Sequence, residues 1–327
     1  MNYFFKPPVF FLFFLFAILP ITAVAQDFAS VDKKVNGYSK SFASPEKLAE
    51  KINADFKRDD EKARAAFTWI ALNIRYDLGM LNSNEPPARF SFRTQEERLQ
   101  KQKQFDIDLA EKTLRSKKAV CDGYSMLFNR LAELCGIESV MIPGTSKSHP
   151  SHIGKLPAIP DHAWNAVKID GKWQLVDVTW GAGGVNGATG KFEFKFNPGY
   201  FFTHPTLFFF NHFPSDKQWL FLDKSEQDFA ALPLYYGDYI QSAYTIVSPI
   251  GSTVPNNESV RFTIDSLGEL PVTYVLSNER MVRQVTPEKR DDLSIFEIKL
   301  DSRATGYLTI YIDHKSVVTY KIGRSVS

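Results

Sequence analysis

A β-hairpin signal near the middle of the chain constrains the fold more than any other stretch. HAWNAVKI is followed by Asp170-Gly171 and then by KWQLVDVT. An Asp-Gly pair between two runs rich in β-branched and aromatic residues is typical of a two-residue turn. We therefore expect two antiparallel strands here, and the turn fixes their register.

That register places two polar side chains near each other. Trp164 would face Asp177, and His162 would face Thr179. Because side chains alternate along a strand, His162 and Trp164 share a face, and His162 becomes a diagonal neighbour of Asp177. Their Cβ atoms would then be about 7 Å apart, which an imidazole and a carboxylate can bridge. A bulge of one residue in either strand would remove this arrangement.

The apolar surroundings of Asp177 also predict that its carboxylate has a polar partner. It sits among apolar residues in LVDVTW, where an unpaired carboxylate is costly. The other histidines, at positions 149, 152, 204, 212 and 314, lack a comparable carboxylate at strand register. No spacing of cysteines and histidines suggests a zinc site, so we expect neither a metal nor a cofactor.

The two cysteines occupy opposite ends of one predicted helix. In KKAVCDGYSMLFNRL, Cys121 heads an amphipathic helix, and Cys135 lies at its end just before Gly136. A helix N-terminus stabilises a thiolate, so Cys121 is a candidate nucleophile and Cys135 a small core residue.

This helix also separates the two sulfurs. At 1.5 Å per residue their Cα atoms would be about 21 Å apart, whereas a disulfide needs less than about 7 Å. The distance excludes an intramolecular disulfide and argues against a redox thiol at Cys121, which would need a partner nearby.

The N-terminus predicts export. Lys6 precedes an unbroken apolar run over 9–19, and Ala23-Val24-Ala25 resembles a cleavage signal. The run is shorter than the roughly 20 residues that span a bilayer, so residues 1–25 read as a signal peptide rather than an anchor. We expect a periplasmic or extracellular protein with no integral membrane span after cleavage.

Charge excludes one class of partner. Lys6 is the only charged residue in the signal, so the remainder carries 38 basic and 37 acidic residues. This balance predicts no nucleic-acid partner.

Two regions follow the signal, with a boundary near residue 232. Residues 26–232 should hold helices beginning at Pro45, Asp59 and Gln95, with loops over 78–93 and 144–160 and a strand over 137–142. The sequence pattern of residues 233–327 is typical of a small Ig-like β-sandwich. Their strand-like runs are 258–264, 272–276, 293–300, 306–312 and 316–322.

The motifs together resemble a known family. AVCDGYSMLFNRLAELCGIESVMIPG followed by DHAWNAVKIDGKWQLVDVTWGAG is similar to the core of the transglutaminase-like superfamily. ARAAFTWIALNIRYD and YFFTHPTLFFFNHFPSDKQWLFL resemble the branch that includes kyphoscoliosis peptidase and cytokinesis-linked proteins. The resemblance implies an α+β, papain-like fold, with a cysteine-bearing helix packed on an antiparallel sheet that carries the histidine and the aspartate.

The same resemblance implies roles for individual residues. Cys121 would be the nucleophile, His162 the general base and acid, and Asp177 the residue that orients the imidazole. Tyr76 is a candidate second oxyanion donor beside the backbone N–H of Cys121, and Trp164 and Trp180 are candidate walls of the substrate groove.

Two hypotheses of different classes follow. The first is a cysteine-dependent enzyme that transfers acyl groups from amide bonds of proteins or peptides, as a peptidase or a transglutaminase. The second is a binding or scaffold module that keeps the fold without the chemistry and docks through its β-sandwich. The presence of all three triad residues favours the enzyme.

Overall fold

We describe the fold from a computed structural model that covers residues 28–81, 91–187, 189–256, 259–279 and 281–323. The predicted signal peptide and part of the predicted loop over 78–93 lie outside these residues. In the described part, no helix is long and apolar enough to cross a bilayer.

The helices lie mostly in the first half of the chain. They are α1 (Ala29–Asn36), α2 (Pro45–Asp55), α3 (Asp59–Asn73), α4 (Leu78–Leu81), α5 (Gln95–Ser116), α6 (Cys121–Leu134), α7 (Val178–Ala182), α8 (Pro205–Phe208), α9 (Glu226–Ala230) and α10 (Gly237–Ile240). Short 3₁₀ turns cover Pro150–His152, Pro198–Tyr200 and Lys217–Leu220.

Strands occur throughout and dominate the C-terminal region. They are β1 (Arg75–Tyr76), β2 (Lys118–Ala119), β3 (Ser139–Ser146), β4 (His162–Ile169), β5 (Lys172–Val176), β6 (Gly183–Val185), β7 (Phe192–Phe194), β8 (Phe201–Thr203), β9 (His212–Pro214), β10 (Leu234–Tyr235), β11 (Thr245–Ser248), β12 (Thr253–Pro255), β13 (Ser259–Asp265), β14 (Val272–Leu276), β15 (Arg283–Val285), β16 (Glu288–Arg290), β17 (Leu293–Lys299), β18 (Gly306–Ile312) and β19 (Lys315–Gly323).

A five-stranded antiparallel sheet forms the base of the first region, in the order β8-β5-β4-β3-β9. The helices α3 and α6 pack together, and α6 also lies against β3 and β4. Apolar side chains of α2, α3, α5 and α6 join those of β4 and β5 in one buried cluster. The expected fold class is confirmed: a cysteine-bearing helix packs on an antiparallel sheet.

The hairpin has the predicted register over its paired residues. Asn165 pairs with Val176 and Ile169 with Lys172, and both turn residues have positive φ, 49° at Asp170 and 76° at Gly171. This is the two-residue turn geometry that Asp-Gly favours.

The second strand nevertheless ends earlier than predicted, at Val176 rather than Thr179. Asp177 caps α7 instead, because its side chain accepts a hydrogen bond from the Trp180 backbone N–H. The expected facing pairs beyond Val176 are therefore absent from the ladder. His162 and Trp164 pair instead with Gly144 and Ile142 of β3.

The strand predicted over 137–142 also differs, since β3 continues to Ser146. Its last residues pair with β9, with Gly144 opposite Pro214. A partner strand about 70 residues away in sequence thus converts the start of the predicted 144–160 loop into sheet.

Two sheets share a core in the C-terminal region. One has the order β10-β19-β18-β14-β15, with β12 parallel to β19, and the other is β11-β13-β17-β16. Buried side chains of both sheets form a second cluster that includes Phe262, Phe296 and Tyr320. This arrangement is a small β-sandwich, whose Ig-like character stays a prediction.

A buried lysine fixes the end of β3 beside the segment that leads into this sandwich. Lys147 is fully buried, and its amine donates hydrogen bonds to the carbonyls of Phe229 and Leu232, at 2.6 and 2.7 Å. Burial lowers the pKa of this amine to about 7, and its two hydrogen bonds to backbone carbonyls anchor the two segments together.

An ion pair holds α1 onto α3. The Arg64 guanidinium donates to both carboxylate oxygens of Asp32, at 2.8 and 2.6 Å, and the Thr68 hydroxyl donates to the same carboxylate at 2.6 Å. Arg64 is 3% exposed. Bidentate pairing satisfies its charge inside the helical layer.

Replacing Asp32 with Ala should lower the free energy of unfolding by about 3 kcal/mol, because it leaves a buried guanidinium without a carboxylate. Urea denaturation followed by circular dichroism measures the loss. The matched control is Lys33→Ala on the exposed side of the same helix, which should change stability by less than about 0.5 kcal/mol. Equal losses in the two variants would contradict a stabilising role for the ion pair.

Candidate active site

Cys121 is the first residue of α6. The strand β2 enters the helix directly and pairs in parallel with β1, so the approach of the chain to Cys121 is fixed by backbone hydrogen bonds. The Tyr124 hydroxyl donates to the carbonyl of Ile74 and ties the first turn of α6 to the end of α3. Cys121 is partly exposed and stands in the first turn of α6, where backbone N–H groups lack partners within the helix.

Cys135 differs from Cys121 in its position on the helix, its exposure and its surroundings. It caps the other end of α6, is 7% exposed and belongs to the apolar cluster. Burial raises the pKa of its thiol to about 11. The predicted core role of Cys135 is confirmed.

The hairpin and the start of α7 bring His162 and Asp177 into contact. The imidazole Nε2 of His162 lies 2.8 Å from Oδ2 of Asp177. His162 is 8% exposed and Asp177 is completely buried. With Nε2 bound to the carboxylate, Nδ1 is the ring nitrogen left for another partner.

A second histidine, which sequence reasoning set aside, binds the same carboxylate. His212 begins β9, and its Nε2 lies 3.0 Å from Oδ2 of Asp177. The register of one hairpin does not reveal this contact, because β9 reaches Asp177 across the sheet through β3. One signal was present: His212 lies in the apolar run FFFNHF, where a polar side chain needs a buried partner, as in LVDVTW.

Charges in this cluster oppose the cost of burial. Burial lowers the pKa of His162, but the charge of Asp177 and hydrogen bonds to Asp177 and Cys121 outweigh it and raise the pKa to about 10. Burial raises the pKa of Asp177, but the charge and hydrogen bond of His162 and the hydrogen bond of His212 bring it far below its ordinary range. His162 is therefore held as an imidazolium beside a carboxylate, and Cys121 contributes to its raised pKa.

His212 differs from His162 in its protonation. Burial lowers its pKa, and the opposing hydrogen bond and charge of Asp177 do not fully compensate. One carboxylate thus serves two imidazoles in different charge states.

Tyr76 and Trp180 lie near the cluster, and Trp164 lies beneath it. The pKa of Tyr76 is raised by burial and then by the charge of Cys121, so its phenol stays protonated. The Trp180 ring centroid is 5.4 Å from that of His162. Trp164 is 1% exposed and packs under His162 and His212, in the core rather than in a groove wall.

A cavity of about 730 Å³ adjoins the imidazole of His162. Its lining comes from both regions of the chain and includes Tyr76, Trp180 and the C-terminal residues Tyr236 and Asp238. Cys121 lies outside this lining. The cavity therefore lies beside the histidine, and one side of it is formed by residues between β10 and β11 of the β-sandwich.

The same three residues form a possible metal-ligand group. The donor atoms of His162, Asp177 and His212 lie within 4.8 Å of one another. The Nε2 atoms of His162 and His212, however, both lie at hydrogen-bond distance from one carboxylate oxygen of Asp177. These two nitrogens therefore carry protons rather than free lone pairs. The donor set fits a hydrogen-bonded cluster better than a metal site, where nitrogen and oxygen ligands would surround an ion at about 2 Å.

Comparison with known proteins shows a resemblance to one family. Residues 46–178 match the model of the Transglutaminase-like superfamily, so this part of the chain is similar to that superfamily. The matched segment contains Cys121, His162 and Asp177.

Curated relatives match a part of the chain. Kyphoscoliosis peptidase of Homo sapiens is 41% identical over 165 residues, which are 50% of this chain and 22% of the relative. The Lim and transglutaminase domain protein ltd-1 of Caenorhabditis elegans is 35% identical over 124 residues, 34% of this chain and 17% of its own. The matches thus take in about a fifth of each relative's length.

A crystal structure of a TGase is 21% identical to this chain, covers 50% of it and 35% of its own chain, and has a TM-score of 0.28. At that score the likeness adds nothing to the family resemblance.

The charge of Asp177 should control the titration of His162. In Asp177→Asn, burial acts without an opposing carboxylate, so the pKa of His162 should fall below its ordinary value of about 6.5. Histidine side-chain NMR across pH measures this pKa. The control is Asp161→Asn, since Asp161 precedes His162 but accepts its hydrogen bond from the Ser146 backbone N–H. A His162 pKa that stays raised in Asp177→Asn would contradict the described pairing.

Proposed function

We propose that the transglutaminase-like domain of this protein is a cysteine-dependent enzyme that transfers acyl groups from amide bonds of proteins or peptides. The observation that carries the proposal is the buried 2.8 Å contact of His162 with Asp177, and Cys121, at the start of α6, contributes to the raised pKa of His162. A thiol, an imidazole and a carboxylate in this order form the triad that such chemistry requires.

The reaction begins with the thiolate of Cys121. Its sulfur attacks the carbonyl carbon of the substrate, and a tetrahedral intermediate forms. The imidazolium of His162 then gives its Nδ1 proton to the nitrogen of the leaving amine, the C–N bond breaks, and a thioester remains on Cys121.

The second half of the reaction returns the enzyme to its starting state. Water or a second amine attacks the thioester carbonyl, and His162 takes the proton that this nucleophile loses. The C–S bond breaks, and the Cys121 thiolate is restored. Water gives hydrolysis and an amine gives a crosslink, so peptidase and transglutaminase activity share every step up to the thioester.

Two neighbours would support these steps. The backbone N–H of Cys121 and the phenol of Tyr76 are the proposed donors to the oxyanion, and the phenol stays protonated in this environment. Asp177 keeps the His162 ring in one orientation and stabilises its charged form.

The substrate class follows from the relatives and the site. A relative named a peptidase shares 41% identity over the matched segment, which favours a protein or peptide substrate. The cavity beside His162 is wide enough for a side chain or a short segment of substrate, and Trp180 and Tyr236 would contact it.

Turnover should depend on Cys121 and His162 but not on Cys135. Casein serves as a general substrate, with release of new amino termini reporting hydrolysis and incorporation of a fluorescent amine reporting crosslinking. Cys121→Ala and His162→Ala should each lower kcat on the order of 10³-fold or more. Cys135→Ala, the matched control, should retain activity.

Alkylation with iodoacetamide tests the nucleophile without a substrate. Mass spectrometry of the native protein should find Cys121 modified before Cys135, and His162→Ala should slow modification of Cys121, because the thiolate then loses its imidazolium partner. Unchanged alkylation in His162→Ala, together with no turnover by the folded protein, would favour the binding-module alternative.

We also propose that the protein is exported to the periplasm or the extracellular space. The support is the apolar run over 9–19 between Lys6 and the Ala23-Val24-Ala25 signal.

Expression of the full chain with secretion should yield a mature protein that begins at Gln26. Amino-terminal sequencing of the exported material measures this, and Ala25→Pro at the cleavage signal should block processing. A protein that keeps residues 1–25 and stays inside the cell would contradict export.

A further inference from the structure

We propose that His212 is a positioning residue for this reaction: it holds the Asp177 carboxylate that orients His162, by donating a hydrogen bond to the same carboxylate oxygen. The inference rests on the proposed function, since it concerns the group that aligns the proposed base. It adds a fourth member to a site described so far by three.

The carboxylate of Asp177 is saturated with donors. Oδ1 accepts from the Trp180 backbone N–H at 3.0 Å, and Oδ2 faces the Nε2 atoms of His162 and His212 at 2.8 and 3.0 Å. A buried carboxylate with three donors has one orientation in which all are satisfied. His212 thus prevents the carboxylate from turning away from His162.

The surroundings of His212 leave its ring little freedom. It is 1% exposed, stacks on Phe208 at 3.9 Å between centroids, and has Trp180 at 4.6 Å and Trp164 at 5.0 Å. Packing on three aromatic rings fixes the direction in which Nε2 points. Because its own ring is held in one orientation, His212 can hold the Asp177 carboxylate in one orientation as well.

Hydrogen-bond accounting fixes the tautomer. Nδ1 of His212 lies 3.2 Å from the carbonyl of Phe208, and Nε2 faces the carboxylate, so both partners are acceptors. A neutral ring has one N–H, and the charged acceptor binds it more strongly. The proton therefore sits on Nε2, and His212 donates to Asp177 without taking part in proton transfer to the substrate.

This arrangement also divides the charge of Asp177 between two imidazoles. The titratable groups that face His212 are Asp177, His162 and the buried phenol of Tyr200. If the donor at position 212 is lost, the negative charge acts on His162 alone and holds its proton more tightly. The His162 titration should then move to higher pH.

Three variants separate this role from simple packing. His212→Gln keeps a donor near the position of Nε2, His212→Asn keeps an amide too short to reach Asp177, and His212→Leu removes the donor. His212→Leu and His212→Asn should lower kcat on the order of 10-fold to 100-fold with little change in KM, because the base is misaligned. His212→Gln should recover most of the loss.

The decisive measurement is the titration of His162 by histidine side-chain NMR, which needs no turnover. We expect an upward shift in His212→Asn and His212→Leu and a titration close to that of the unaltered protein in His212→Gln. Identical His162 titration in all variants, with kcat falling only in step with thermal stability, would overturn the proposal.

The two proposals can fail separately. If the folded protein has no turnover but the His162 titration moves as expected, acyl transfer is wrong and the coupling of His212 to His162 stands. If turnover is present and depends on Cys121, but neither kcat nor the titration responds at position 212, only the positioning role is wrong. Should His212→Leu fail to fold, the comparison of His212→Asn with His212→Gln carries the test.

Discussion

The buried charge of Asp177 is the constraint on which the site depends. A carboxylate with no exposure is tolerated only when donors surround it, and here each donor comes from a different element: Trp180 from α7, His162 from β4 and His212 from β9. The polar cluster therefore cannot form until the sheet and the helix after β5 are in place.

The same cluster explains why the site lies at this edge of the sheet. β5 stops at Val176 because the next side chain caps α7, and the break in the ladder turns the carboxylate toward the two imidazoles. Cys121 arrives from the opposite layer, on the helix that packs against β3 and β4. The proposed nucleophile therefore comes from the helical layer, whereas His162 and Asp177 come from the sheet and the start of α7.

The C-terminal sandwich contributes residues to the candidate site, although its hydrophobic core is separate. Residues between its strands β10 and β11, such as Tyr236 and Asp238, complete the cavity beside His162. Lys147, buried with its amine on two backbone carbonyls, fixes the neighbouring segment against the end of β3. The shape of the cavity therefore depends on both regions of the chain, and no sequence motif within one region predicts it.

Local chemistry determined much of this protein from its sequence. Asp170-Gly171 set the hairpin register, the apolar stripe beginning at Tyr124 set the helix behind Cys121, and the polar residue in LVDVTW required a partner. Only the tertiary structure decided that Asp177 would cap a helix and bind His212, and that Trp164 would lie in the core. Those outcomes depend on contacts between strands far apart in sequence, and the periodicity of a single segment carries no information about which distant strand pairs beside it.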